Sequence, residues 1–269
     1  MRPLILTALI VFARAAICAV DLSDLGIANG GTALQYEEYG INLAKKDNYE
    51  AARRYYAAAI RLEPDRWTAY YNRAMTYIAQ KNWAAALQDL NATVHYKPAF
   101  FRASIIRAAV NKRLGNYHDS LRDLDLIVNL SARVGNFDEH ALVLNNRAWM
   151  RAVCPDASIR NGQLAVADAK TACQLSKWKT SAYIDTLAAA YAEAGDFDSA
   201  IRYQEQAISR KKEEAEEESK YMASHHFKKD KVEKISPEIA KDSAKMEADY
   251  AHRLQLYNAH RPYRPSGDW

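Results

Sequence analysis

In the first half of this chain a small residue returns every 34 positions, at Gly40, Ala74 and Ala108. The stretch around the first of them contains Tyr36, Tyr39, Leu43, Tyr49, Ala52, Tyr56, Ala59 and Pro64. Gly40, Ala52 and Ala59 would let two antiparallel helices approach closely, and Tyr36, Leu43, Tyr49 and Tyr56 would fill the remaining space. Pro64 would end the second helix, because it lacks an N–H and its ring clashes with the preceding turn. One helical pair cannot bury its own apolar face, so the chain must repeat the unit. With only 9 Gly and 7 Pro in 269 residues, helix is the expected state throughout.

The register gives repeats over 33–66, 67–100 and 101–134. Ala86 and Pro98 in the second repeat match Ala52 and Pro64 in the first. The interval then widens, with the next small positions at Ala148 and Ala188, each 40 residues on. The first delay falls at Gly135 to His140, between repeats. The second falls inside a fourth repeat, 141–176, whose first helix ends at Cys154-Pro155-Asp156. Its second helix starts near Gly162 and carries Ala165 on the close-packed side. A fifth repeat, 181–214, is regular, with Ala188 and Ala200 at the small positions. Residues 215–235 read as a charged extension and a loop. Ser236-Pro237-Glu238 then has the cap and first-turn proline of a helix start. That last helix should cap the open end of the array, and a short tail completes the capping segment, 236–269.

The N-terminus has the parts of a secretory leader: Arg2, an apolar run from Leu4 to Phe12, and small residues up to Ala19. We expect a leader over 1–19, a flexible lead-in over 20–32, and export to the periplasm or outside the cell. Cys18 raises the alternative of a lipid anchor for a structural envelope-assembly component working through its convex face or terminal helix. Fractionation would separate the two readings. Cys154 and Cys173 are expected as free thiols with no disulfide. Cys173 would lie about 16 Å along a helix that starts at Gly162, and a bridge needs Cα atoms within about 7 Å. A formal net charge of +4 argues against a nucleic-acid or membrane-surface role. The seven histidines are scattered, and His225-His226 has no neighbour at ligand spacing. No phosphate loop, nucleophile elbow or HExxH is present. We therefore expect no catalytic residues, cofactor, metal or small-molecule substrate.

The residues of the first three repeats resemble the tetratricopeptide-repeat (TPR) family. The run from Asn145 to Ile208 resembles a segment found near the C-terminus of many bacterial, often exported, TPR proteins. Arg253-Leu254-Gln255-Leu256-Tyr257 and Pro262-Tyr263-Arg264 match its tail. The resemblance covers about 33 to 264 and implies an all-α, right-handed α-solenoid of about five helix pairs with a capping helix. It also implies a protein or peptide partner held on a concave face formed by the first helix of each pair. On that face it places Tyr71, Asn72, Met75, Arg102, Lys112, Asn145, Trp149 and Asp185. Tyr71, Arg102 and Trp149 lead the choice, because exposed Tyr, Trp and Arg most often carry binding energy. Tyr71 and Trp149 could equally pack between repeats. Relatives that bind chaperone C-termini hold a carboxylate with Lys, Asn and Arg. Asn72 and Arg102 match that pattern, but Glu37, Ile41 and Ile106 replace the other positions, so no such clamp is expected.

Overall fold

A computed structural model describes residues 22–27, 30–134, 137–224 and 229–265. The leader, Cys18 and His225-His226 lie outside them. Eleven α-helices and no strands occur among the described residues: α1 (Ala33–Ala44), α2 (Tyr49–Leu62), α3 (Trp67–Ala79), α4 (Trp83–Tyr96), α5 (Phe101–Arg113), α6 (Tyr117–Val134), α7 (Phe137–Val153), α8 (Gly162–Leu175), α9 (Ser181–Glu193), α10 (Phe197–Ser224) and α11 (Lys229–Asn258). The chain divides into two compact units, Met1–Gly115 and Asn116–Trp269. Within unit 1, α1 packs on α2 and α3 on α4, and within unit 2, α7 packs on α8 and α9 on α10, in the manner of an α-solenoid. Among the described residues no helix is long and apolar enough to cross a membrane.

The turns that follow α1, α3, α5 and α9 are built the same way. The residue before the second helix adopts a left-handed conformation at Asp47, Lys81, Gly115 and Gly195, with φ of 59°, 58°, 79° and 84°. The next residue is Asn or Asp. Asn48, Asn82 and Asp196 each accept a hydrogen bond from a backbone N–H three residues on, at 3.4, 3.2 and 3.0 Å. This caps otherwise orphaned donors in the first turn. The pairs then close on small residues. Ala52, Ala74, Ala86, Ala148, Ala165, Ala188 and Ala200 are fully buried, and Ala108 is nearly so. Gly40 is obligatory, because a Cβ there would lie 2.6 Å from the buried Tyr56 ring. Pro64 and Pro98 follow the ends of α2 and α4. Replacing Ala86 or Ala200 with Phe should overpack these contacts and cost about 1–3 kcal/mol. Thermal unfolding unchanged in both variants would refute the register.

In unit 1 the described residues 22–27 of the lead-in, expected to be flexible, are packed. Leu22 and Ile27 are buried against Ala33, Tyr36, Ala58 and Ala69. These two side chains cover the apolar edge of the first pair. In unit 2 the delay placed at 135–140 is taken up by longer helices, with 18 residues in α6 and 17 in α7. The second delay is a loop between Val153 and Gly162, as the spacing indicated. It is held by Asn161 N–H donating to Arg151 O (2.8 Å) and by Arg160 Nη1 donating to Cys154 O (2.7 Å). Gly162 is required because a Cβ would collide with the Ala194 backbone.

The loop expected after the charged extension, in the second part of 215–235, is corrected at its two ends. Helix α10 continues to Ser224, and α11 already begins at Lys229 and runs through Ser236 and Pro237. Lys and Glu are good helix formers, and Arg210 braces this extension by pairing with Glu213 and Glu217, each at 2.9 Å. High polarity here reflects an exposed helix rather than an irregular chain.

Candidate binding faces

Unit 1 presents the first helices α1, α3 and α5. On them Leu34 is 54% exposed, Met75 is 38% exposed, and Arg102 is exposed. Tyr71 is half-buried, its ring edge-on to Phe100 at 5.0 Å between centroids. Lys112 is half-buried in the last turn of α5. Asn72 is not available in the way expected. Its Nδ2 donates to Glu37 Oε1 at 2.9 Å, while Thr68 Oγ1 and Arg66 Nε donate to Oε2 at 2.9 and 2.5 Å. A buried carboxylate must be paired and hydrogen-bonded, and Glu37 meets that demand by drawing on Arg66, Thr68 and Asn72. Its charge is therefore balanced within the unit.

Unit 2 differs more. Asp185, placed on the binding face by the resemblance, is buried beneath α11. It accepts from Gln204 Nε2 and Arg253 Nε, both at 2.8 Å. Burial pushes its carboxyl above the ordinary range, opposed by the charge of Arg253 and the Gln204 hydrogen bond. It is a structural residue. Trp149 is half-buried, with Tyr263 at 6.1 Å and the Arg253 guanidinium 5.6 Å from the ring centroid. The chain's own C-terminal segment covers it, because α11 turns at His260 and the tail runs back over α9 and α7. Asn145 is half-buried on α7, and its side-chain oxygen is sealed from solvent with no partner among the described residues.

One set of residues was missed. The arginine directly before the small residue of a first helix reaches a second helix. Arg73 pairs with Asp89 through two hydrogen bonds of 2.8 and 2.7 Å, and Arg107 donates to Asn91 at 3.1 Å. Arg147 and Arg151 both pair with Asp125 and Asp168 at 2.7–3.0 Å. The signal was the tripeptide Asn-Arg-Ala at 72–74 and again at 146–148. These groups bind one another and leave little charge for chemistry. Cys154 and Cys173 are buried and unbridged, and burial pushes the Cys173 thiol up to about 12. No group of three or more His, Cys, Asp or Glu among the described residues could hold a metal ion.

Comparisons with known proteins agree with this architecture. Tetratricopeptide-repeat family profiles match residues 41–111 and 180–219. Serine/threonine-protein phosphatase 5 of Rattus norvegicus is 26% identical over 121 residues, 44% of this chain and 24% of the phosphatase. The TPR and J domain-containing co-chaperone DNJ1 of Cryptococcus neoformans is 30% identical over 97 residues, 36% of this chain and 19% of DNJ1. The chain thus spans a quarter or less of these relatives. Among solved structures, MamA from Desulfovibrio magneticus superposes with a TM-score of 0.55 at 16% identity, over 69% of this chain and 98% of MamA. YrrB, a TPR protein with an unusual peptide-binding site, gives 0.53 at 16% identity, over 66% and 86%. PilF from Pseudomonas aeruginosa gives 0.52 at 12% identity, over 84% and 91%. The spacing of small residues, the stacked helix pairs and the two matched segments identify the chain as a tetratricopeptide-repeat protein.

Proposed function

We propose that the chain is a non-enzymatic scaffold that binds a protein or peptide segment through the first-helix face of unit 1, and that it works in the periplasm or cell envelope. The observation that carries the binding site is the exposure of Leu34, Met75 and Arg102 on the first helices of unit 1, together with half-buried Tyr71. Large apolar side chains left in water can mark a site of association, and Tyr and Arg are residue types that carry much of the binding energy at interfaces. In unit 2 the corresponding residues, Trp149 and Asp185, are engaged by the chain itself. The similarity to a fold described with a peptide-binding site supports a peptide as the form of ligand. The leader pattern over 1–19 supports export.

A pull-down from periplasmic extract with Met75→Ala/Arg102→Ala tests the site. Both side chains are exposed, so thermal unfolding should be unchanged. Recovery of the partner should fall by about tenfold or more, the cost of losing hot-spot contacts of over 1 kcal/mol each. Equal recovery of every partner by both proteins would remove the unit 1 assignment.

A further inference from the structure

We infer that the irregular tail Arg261 to Pro265 is an internal peptide ligand, and that the surface beneath it in unit 2 is a recognition site for a segment carrying adjacent tyrosine and arginine. The site spans two first helices. Trp149 on α7 faces the Tyr263 ring at 6.1 Å. Arg253 on α11 places its guanidinium 5.1 Å from the Tyr263 centroid and 5.6 Å from that of Trp149. With the Tyr250 ring also 5.1 Å away, one cation thus serves three aromatic rings, an arrangement that orients Tyr263 as well as burying it. Arg264 Nη2 donates to Glu193 at the end of α9, and Nη1 lies 3.5 Å from Ala152 O at the end of α7. Tyr263 and Arg264 are therefore read separately, one by an aromatic and a cation, the other by a carboxylate and a helix-terminal carbonyl.

The tail is held differently from the helix before it. Tyr250, Arg253 and Tyr257 of α11 are buried in unit 2, which makes α11 a permanent cap. The tail beyond Arg261 has no helical hydrogen bonding. Arg264 keeps 37% of its side chain in water, and Tyr263 is only half-buried. Such a segment can leave while the cap stays. A tethered ligand competes at an effective concentration of about millimolar, so the intact chain should be closed to free peptide of the same chemistry. This inference rests on reading the protein as a peptide binder. It concerns unit 2 alone, so its outcome is separate from that of the unit 1 pull-down.

The probe is a labelled synthetic peptide of residues 258–265, titrated into the full chain. Tyr263→Ala/Arg264→Ala removes the tethered competitor and leaves Trp149, Glu193 and Arg253 in place. The peptide should bind this variant at least about tenfold more tightly than the intact chain, as expected when a tethered competitor is removed. Arg264→Ala alone, which deletes one partly exposed guanidinium, should give an intermediate gain. Adding Trp149→Ala to the double variant should return binding to the level of the intact chain. In parallel, the Trp149 indole N–H resonance should shift in the double variant and move back on adding peptide. Equal binding to variant and intact chain, absence of binding to both, or an indole signal unmoved by peptide would each overturn the inference.

Discussion

Asp185→Ala should lower the unfolding free energy of unit 2 by about 3–5 kcal/mol, the cost of leaving a buried charge without its partner. Asp185 is 4% exposed and Arg253 is 7% exposed, so neither can recover the lost interaction from water. Gln204 would keep its 3.2 Å bond to Tyr250 O, but the Arg253 guanidinium would lose the carboxylate it pairs with. Asp185→Asn should recover little, because an amide accepts a hydrogen bond without neutralising the charge. Replacing both residues, as Asp185→Leu/Arg253→Met, should be far milder than either single change, since apolar pairs of similar volume often substitute for buried ion pairs at no cost. Urea unfolding of the four proteins, followed by circular dichroism, checks this. A loss below about 1 kcal/mol for Asp185→Ala, the level of an exposed pair, would show that the pair is not what fixes α11 to the array.

The contrast between Asp185 and Ala188 shows what could be read from the chain alone. Ala188 lies in the 40-residue continuation of the small-residue series, and its burial follows from a local rule: two helices cannot approach at that point with anything larger. The same rule placed Gly40, Ala52, Ala86 and Ala200, and the start of α8 at Gly162. Asp185 obeys no local rule. Three residues away on the same helix, it pairs with Arg253 of α11, 68 residues further along the chain. Trp149 is similar, because its covering comes from Tyr263. A repeat pattern reports contacts between neighbours in sequence, whereas these two depend on where a terminal segment returns. The loop expected after the charged extension is shorter than expected for another reason: beyond Lys229 polarity was weighed above the helix propensity of Lys and Glu, and propensity won. Of the eight residues expected on a binding face, Met75 and Arg102 are exposed, Tyr71 and Lys112 are half-buried at the same face, and Asn72, Asp185 and Trp149 are engaged within the chain. Asn145 is half-buried with its side-chain oxygen sealed from solvent.

Arg73→Ala should destabilise unit 1 by about 3 kcal/mol, the lower edge of the range for breaking a buried ion pair, because Arg73 keeps 21% of its side chain in water while Asp89 keeps only 5%. The pair is bidentate, with Nε and Nη2 on separate carboxylate oxygens, and its geometry fixes how α3 faces α4. Arg73→Lys should restore less than half of the loss, since an ammonium cannot reproduce the two parallel bonds of a guanidinium. The arginine also lies 5.7 Å from the Tyr70 centroid, so part of the loss is stacking that lysine only partly replaces. Thermal unfolding of the full chain measures the effect, and full rescue by lysine would show that charge alone mattered. Met75 lies only two residues on, yet its replacement should change partner recovery and leave stability untouched. Successive positions of one helix thus carry opposite roles. Arg73 points across its own pair and holds the repeat together, and Met75 points away from it into water. If Arg73→Ala lost the partner without losing stability, the division between scaffold and binding face on α3 would have to be reversed.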